Sequence, residues 1–314
     1  MNFFTNRIRT VISLLSFAAL LTGAVIVGTE HVSANHPVLV EGNCLGDGSA
    51  QRTLVTPGTC GDFDGDGRIG TAEDNDTPFD RVFGTINAAN GATGVNNNGT
   101  ITIVASGTFP EVVTITGNVT LQAAPGVTAN LDAVVQGDPG SAVRQGQPGI
   151  IVNAPANRYV VIRNILSKNW TSGFQINGES RVAIENCRLE NNVEYGIEVT
   201  GNARVSISNT EVHASGFRLN PMTGDFPTTS TPDPGKGIEF DDNSSGSIFG
   251  TTVSGSFAAG ISDETGGSAS ASGRGGRRSN VCIFNSNVFD NHPNFENVRP
   301  SNQQCGSSSR SDDR

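Results

Sequence analysis

Three aspartates alternate at Asp62, Asp64 and Asp66, followed by Gly67, Arg68 and then Glu73. Hard cations such as calcium take oxygen ligands, and alternating carboxylates, the Arg68 carbonyl and a terminal Glu73 supply such a set, while Gly67 permits the sharp turn. The spacing predicts one calcium loop with Asp62, Asp64, Asp66, Arg68 and Glu73 as its ligating positions; the alternative is an acidic, glycine-rich linker. A second set of chemistry-bearing residues is Gln175, Glu198 and Glu239, which recur at one place in a repeating pattern, flanked by Asp241, Asp242, Asp263 and Glu264. Stacked on neighbouring strands, two such carboxylates lie ~5 Å apart, where their repulsion is ~0.8 kcal/mol in water and ~3 kcal/mol at an effective dielectric of ~20. Solvated, the column costs little; in a cleft it needs a cation or a shared proton. That separation suits the nucleophile and acid of a retaining glycosidase, and a wider one suits an inverting enzyme. A calcium-assisted lyase instead holds its metal on a uronate and needs a base, for which Arg218 and Lys236 are available. Glu198, Glu239, Asp241 and Arg218 are therefore the catalytic candidates, against the plainer reading of a polar outer face.

These residues are positioned by a repeat. A glycine followed by an apolar residue recurs at Gly149-Ile150, Gly173-Phe174, Gly196-Ile197, Gly237-Ile238 and Gly260-Ile261, at steps of 24, 23, 41 and 23 residues. A constant step of ~23 residues with one insertion marks stacked coils of one solenoid. Each coil shows two strand signals with alternating apolar residues, one after the glycine and one at 159–164, 181–186 and 204–209, degenerate near Ile248 and again at 282–285. No helix-length amphipathic segment lies between them, so βαβ crossovers are excluded and the chain must coil on itself. Asn164, Asn186, Asn209 and Asn285 fall at one turn and are expected to stack as an amide ladder.

This pattern resembles the right-handed parallel β-helix proteins of the pectin-lyase-like superfamily, over about Phe79 to Phe295. Phe79, Val82, Phe83 and Ile86, at helical spacing within 79–89, resemble the amphipathic cap helix of such stacks, and 100–104, 107–111 and 112–115 resemble a first coil. The resemblance implies an all-β, single-stranded solenoid with an N-terminal cap helix. Asp241-Asp242 resembles the paired aspartates of polygalacturonases, but their Gly-His-Gly and Arg-Ile-Lys elements are missing. The stretch from Gly107 to Glu111 resembles the opening of pectin methylesterases, without their later catalytic elements. The calcium loop resembles EF-hand and dockerin sites, in a single copy, which points to a structural ion.

Arg7 and Arg9, the apolar run Val11 to Val27 and Val32-Ser33-Ala34 have the layout of a signal peptide cleaved after Ala34, an uncleaved anchor being the alternative. The expected organisation is a signal peptide over 1–34, an N-terminal segment with a disulfide and the calcium loop over 35–78, the β-helix over 79–305 and a disordered tail over 306–314. An exported chain meets an oxidising compartment, and the nearest cysteines pair as Cys44 with Cys60 and Cys282 with Cys305. Cys187 is left over at a position held by Ile165 and Thr210 in neighbouring coils, so a buried, inert thiol is expected. With 20 basic and 30 acidic side chains and no basic run, nucleic acid is excluded as a partner. Trp170, the single tryptophan, either stacks on sugar if exposed or fills the core, and the core is expected. Residues 214–236 are a long insertion, which in short-looped scaffolds often forms a binding wall, and 265–280 reads as a flexible loop.

The sequence thus predicts a secreted or cell-surface monomer, without a membrane span after processing, that contacts an extracellular polysaccharide or another cell-surface component. The competing reading is a polysaccharide lyase or glycoside hydrolase working along the Glu198 and Glu239 face.

Overall fold

The computed structural model describes residues 38–40, 82–91, 95, 97–216, 235–265 and 280–298, all within the unit His36–Arg314. Strands of three to seven residues dominate, and every pairing between them is parallel, with partners one coil apart. Among the described residues they build three sheets of nine, seven and seven strands. The first sheet takes the long strands Asn97–Ile103, Asn118–Ala123, Tyr159–Arg163, Arg181–Glu185, Arg204–Ser208, Ser245–Phe249 and Val281–Phe284, extended at one end by Val38–Val40 and Val82–Phe83. The third carries the strands of the glycine repeat, among them Ser172–Ile176, Tyr195–Val199, Lys236–Phe240 and Ile261–Asp263. Between them lies a second sheet of short strands, including Ile165–Lys168, Arg188–Glu190, Glu211–His213 and Thr252–Ser254, which have no separate periodic signal of their own.

The core is the set of inward columns that this register creates. Ile162, Ile184, Ile207, Ile248 and Ile283 follow one another up the first sheet, and Ile150, Phe174, Ile197, Ile238 and Ile261 up the third. All are buried, each contributing about 1.5–3 kcal/mol of apolar transfer. The repeated glycine has a steric cause. A Cβ on Gly196 would lie 2.3 Å from Val212 Cγ1 and 2.5 Å from the Gly237 carbonyl oxygen, and one on Gly237 would lie 2.5 Å from both Val253 Cγ1 and the Gly260 carbonyl oxygen.

The turn between the first and second sheets corrects the expected amide ladder. Asn164, Asn186, Asn209, Gly250 and Asn285 all have positive φ, between 46° and 57°, a region that asparagine and glycine enter most cheaply. The vertical bonds are made by the backbone: the N–H of Asn164, Asn186 and Asn209 donates to the carbonyl of Glu185, Ser208 and Phe249 on the next coil, at 3.0–3.1 Å. The Asn164 side chain donates to the Ala123 carbonyl (3.2 Å) instead of to another amide. Asparagine is repeated here for its backbone conformation.

The N-terminal end is closed as expected, by a shorter helix than the 79–89 spacing predicts. It spans Ile86–Asn90, while Val82 and Phe83 pair as a strand; Phe79 lies outside the described residues. The Thr85 hydroxyl accepts from Ala88 N–H, and both Glu111 oxygens accept from Ile86 and Asn87 N–H (2.8 and 2.9 Å), so the first-turn donors are satisfied. Asn87 and Asn90 donate to the carbonyls of Val112 and Thr114, covering the open edge of the third sheet, while Ile86 and Ala89 seal the core. Glu111, the last residue of the stretch resembling a methylesterase opening, therefore serves the cap.

Candidate functional site on the third sheet

Outward positions of the third sheet align in two columns. Gln175, Glu198, Glu239 and Ser262 are register partners in succession, and Glu296 follows Ser262. Ser172, Tyr195 and Lys236, each just before the repeat glycine, form the second column. Parallel strands ~4.8 Å apart bring these side chains into contact although they are far apart in sequence.

The Lys236 ammonium lies at the centre. Its Nζ bonds Glu239 Oε1 at 2.5 Å, bonds Glu264 Oε1, and lies 3.9 Å from Glu296 Oε2. The Ser262 hydroxyl lies 3.3 Å from both Glu264 and Glu296 carboxylates. Glu198 accepts from the Ser172 hydroxyl and the Gln175 amide, both at 3.0 Å. Glu239 is 6% exposed, and that burial raises its pKa although the Lys236 bond and charge oppose the shift. Burial of Lys236 alone would lower its pKa, but its bonds to Glu239 and Glu264 and their charges outweigh this and hold the ammonium protonated. Tyr195 is raised by burial and by the neighbouring Glu239 and Glu198 charges.

The sequence-predicted residues divide accordingly. Glu198 and Glu239 stand side by side. Lys236 reaches Glu239, as a locked cation unsuited to proton abstraction. Asp241 is not drawn into the cluster, since its Oδ1 accepts from Asp242 N–H at 2.6 Å. Asp242 accepts from Gly201 N–H, and Asp263 from the Thr265 N–H and hydroxyl, so these aspartates brace turns. Arg218 lies outside the described residues, as do the calcium positions Asp62, Asp64, Asp66, Arg68 and Glu73, the cysteines Cys44, Cys60 and Cys305, and the signal segment. Cys187 is a buried free thiol whose pKa burial pushes up to about 12, donating to the Ile162 and Glu185 carbonyls. Trp170 is fully buried and its indole N–H donates to the Leu131 carbonyl at 2.9 Å. Ser172, Tyr195 and Glu296 were not singled out in the sequence; the place before each repeat glycine was the signal that could have found the first two.

Among the described residues no group of three or more His, Cys, Asp or Glu side chains is placed to hold a metal ion. The three glutamates that converge do so on Lys236.

A family model for the right handed beta helix region matches residues 148–294. No curated protein matches the sequence significantly. Among solved structures the chain is similar to the pectin methylesterase from Aspergillus niger in deglycosylated form, at 15% identity and a TM-score of 0.32, covering 68% of this chain and 82% of that one. It is also similar to the pectate lyase Pel9A, at 14% identity and a TM-score of 0.31, covering 69% and 76%. Likeness of this degree decides neither activity nor substrate. The family match and the three coiled parallel sheets agree on the architecture, a right-handed parallel β-helix.

Proposed function

We propose that this is a secreted, monomeric surface protein that binds polysaccharide along the outer faces of its coils without turning it over. The observation that carries the non-catalytic part is the Lys236 centre: the buried carboxylate that could serve as an acid, Glu239, is bonded to an ammonium, and the other acidic candidate beside the strand end, Asp241, is spent on its own turn. Long, in-register polar strips remain, of the kind that an extended glycan can follow. Calcium in the loop from Asp62 to Glu73 and bridges Cys44–Cys60 and Cys282–Cys305 belong to the same proposal, as devices that fix the ends of the stack.

A second reading, a retaining glycoside hydrolase, draws on the Glu198 and Glu239 register pair, whose strand spacing of ~4.8 Å is close to the ~5 Å carboxyl separation of such enzymes. A lyase is less favoured because Lys236 is held protonated. The test is to incubate the mature protein with a panel of neutral and uronic-acid polysaccharides, with calcium and with chelator, following bound protein, reducing ends and ultraviolet absorbance. Binding without turnover is expected, together with a melting temperature that rises with calcium. Turnover abolished by Glu239→Gln would overturn the binding reading in favour of the enzyme.

A further inference from the structure

The outer face of the first sheet carries a different chemistry from the acidic third sheet. Strand alternation turns Tyr159, Val161 and Arg163 and their register partners away from the core columns of Val160, Ile162, Val182 and Ile184, although Val161 and Ala183 are themselves buried. Along one margin Tyr159, Arg181 and Arg204 are register partners, all exposed. Four residues further along the strands, about 13 Å away, Phe249 and Phe284 are register partners on the opposite margin, 50% and 37% exposed. The column between them holds Val161, Ala183, Ser206 and Ser247, and the far margin opposite Tyr159 and Arg181 carries the Arg163–Glu185 ion pair. Long side chains on both margins above a small-residue floor make a shallow trough running along the solenoid axis.

Arg181 and Arg204 stand apart among the described residues. Arg144, Arg163, Lys168, Arg188 and Lys236 are all ion-paired, whereas neither Arg181 nor Arg204 has a side-chain partner among the described residues. Like charges directly opposite on neighbouring strands repel, and a protein with formal net charge −10 has carboxylates to spare for neutralising them. We propose that this trough is a binding site for an anionic polysaccharide, whose carboxylate or sulfate groups bridge Arg181 and Arg204 while its sugar rings lie against Tyr159, Phe249 and Phe284. The guanidinium fork matches a carboxylate or sulfate with two parallel hydrogen bonds. Exposed aromatic faces at the margins offer apolar area to the C–H face of a pyranose. One coil advances the stack by ~4.8 Å, comparable to one sugar of an extended chain, so successive units meet successive coils.

The site rests on the polysaccharide-binding reading and names its ligand class. The test uses the full mature chain and three polymers with one backbone: dextran, carboxymethyl dextran and dextran sulfate. Binding to one or both anionic polymers, weakening with salt, and none to dextran is expected; which of the two binds distinguishes carboxylate from sulfate. The Arg181→Ser/Arg204→Ser double variant should lose about tenfold or more in affinity, and Phe249→Ser/Phe284→Ser should also weaken binding. Arg188→Ser, which removes an exposed but paired arginine, should leave it unchanged. Circular dichroism confirms that each variant is folded. Equal binding of plain dextran, or anionic binding indifferent to the arginine pair, overturns the site. Binding of neutral glycans alone also overturns it while leaving the broader reading intact, and failure to bind any polysaccharide in either panel removes both.

Discussion

At the scale of single residues, the decisive side chain is Lys236. A half-buried cation between carboxylates is stabilised by its partners, and removing one side of such a pair leaves buried charge uncompensated. Lys236 and Glu239 side chains are only 14% and 7% exposed, so solvent screening discounts their interaction less than at an open surface. Lys236→Met is expected to cost about 1–3 kcal/mol in urea unfolding. A loss below about 0.5 kcal/mol would class the contact with ordinary surface ion pairs. The Lys236 position was legible in the sequence as a base beside the acidic column. Its role was not, because the ammonium is held protonated by Glu239 together with Glu264, which the next coil brings in.

At the scale of elements, the cap shows how one short helix depends on a residue from elsewhere. Five residues with two buried side chains make a marginal helix, and Glu111 supplies acceptors for its first donors. Burial raises the Glu111 pKa above 4.5 although its backbone bonds pull it down. A raised carboxyl pKa means that the folded state holds the proton more tightly than the unfolded chain; this contribution to stability is full below 4.5 and is lost as pH rises through the folded value. The stability of the wild type relative to Glu111→Gln should therefore be greater near about pH 4 than near about pH 7 by thermal melting. A difference growing in the wild type's favour toward neutrality would mean that the N–H groups outweigh burial. The apolar pattern at Val82, Phe83 and Ile86 located this helix but not its start, since edge pairing with Val38–Val40 draws Val82 and Phe83 into the sheet.

At the scale of the whole molecule, each coil contacts mainly its neighbours, so stability is close to a sum over coils and interfaces. Arg181 and Arg204 occupy equivalent positions, so deleting residues 181–203 joins Ser180 to Arg204 without changing the register. The shortened protein should retain a β-type circular dichroism spectrum and one cooperative transition. Deleting 181–191 instead would set the third-sheet strand Tyr195–Val199 where a first-sheet strand belongs, and loss of soluble protein is expected. If both deletions fold equally well, coil register does not govern this stack.

The sequence by itself determined the period, the inward columns, the repeat glycines and the turn asparagines, because each coil restates the same local constraints: alternation that buries one face, a site with no room for a Cβ, and a left-handed turn residue. Only the tertiary structure decided the second sheet, whose three- or four-residue strands show one or two inward side chains each, too few for a periodic signal. It also decided which carboxylates meet Lys236 and which arginines remain unpaired. Apart from Glu239 on the same strand, those contacts join residues one or two coils apart, and stacking, not chain order, sets their distances.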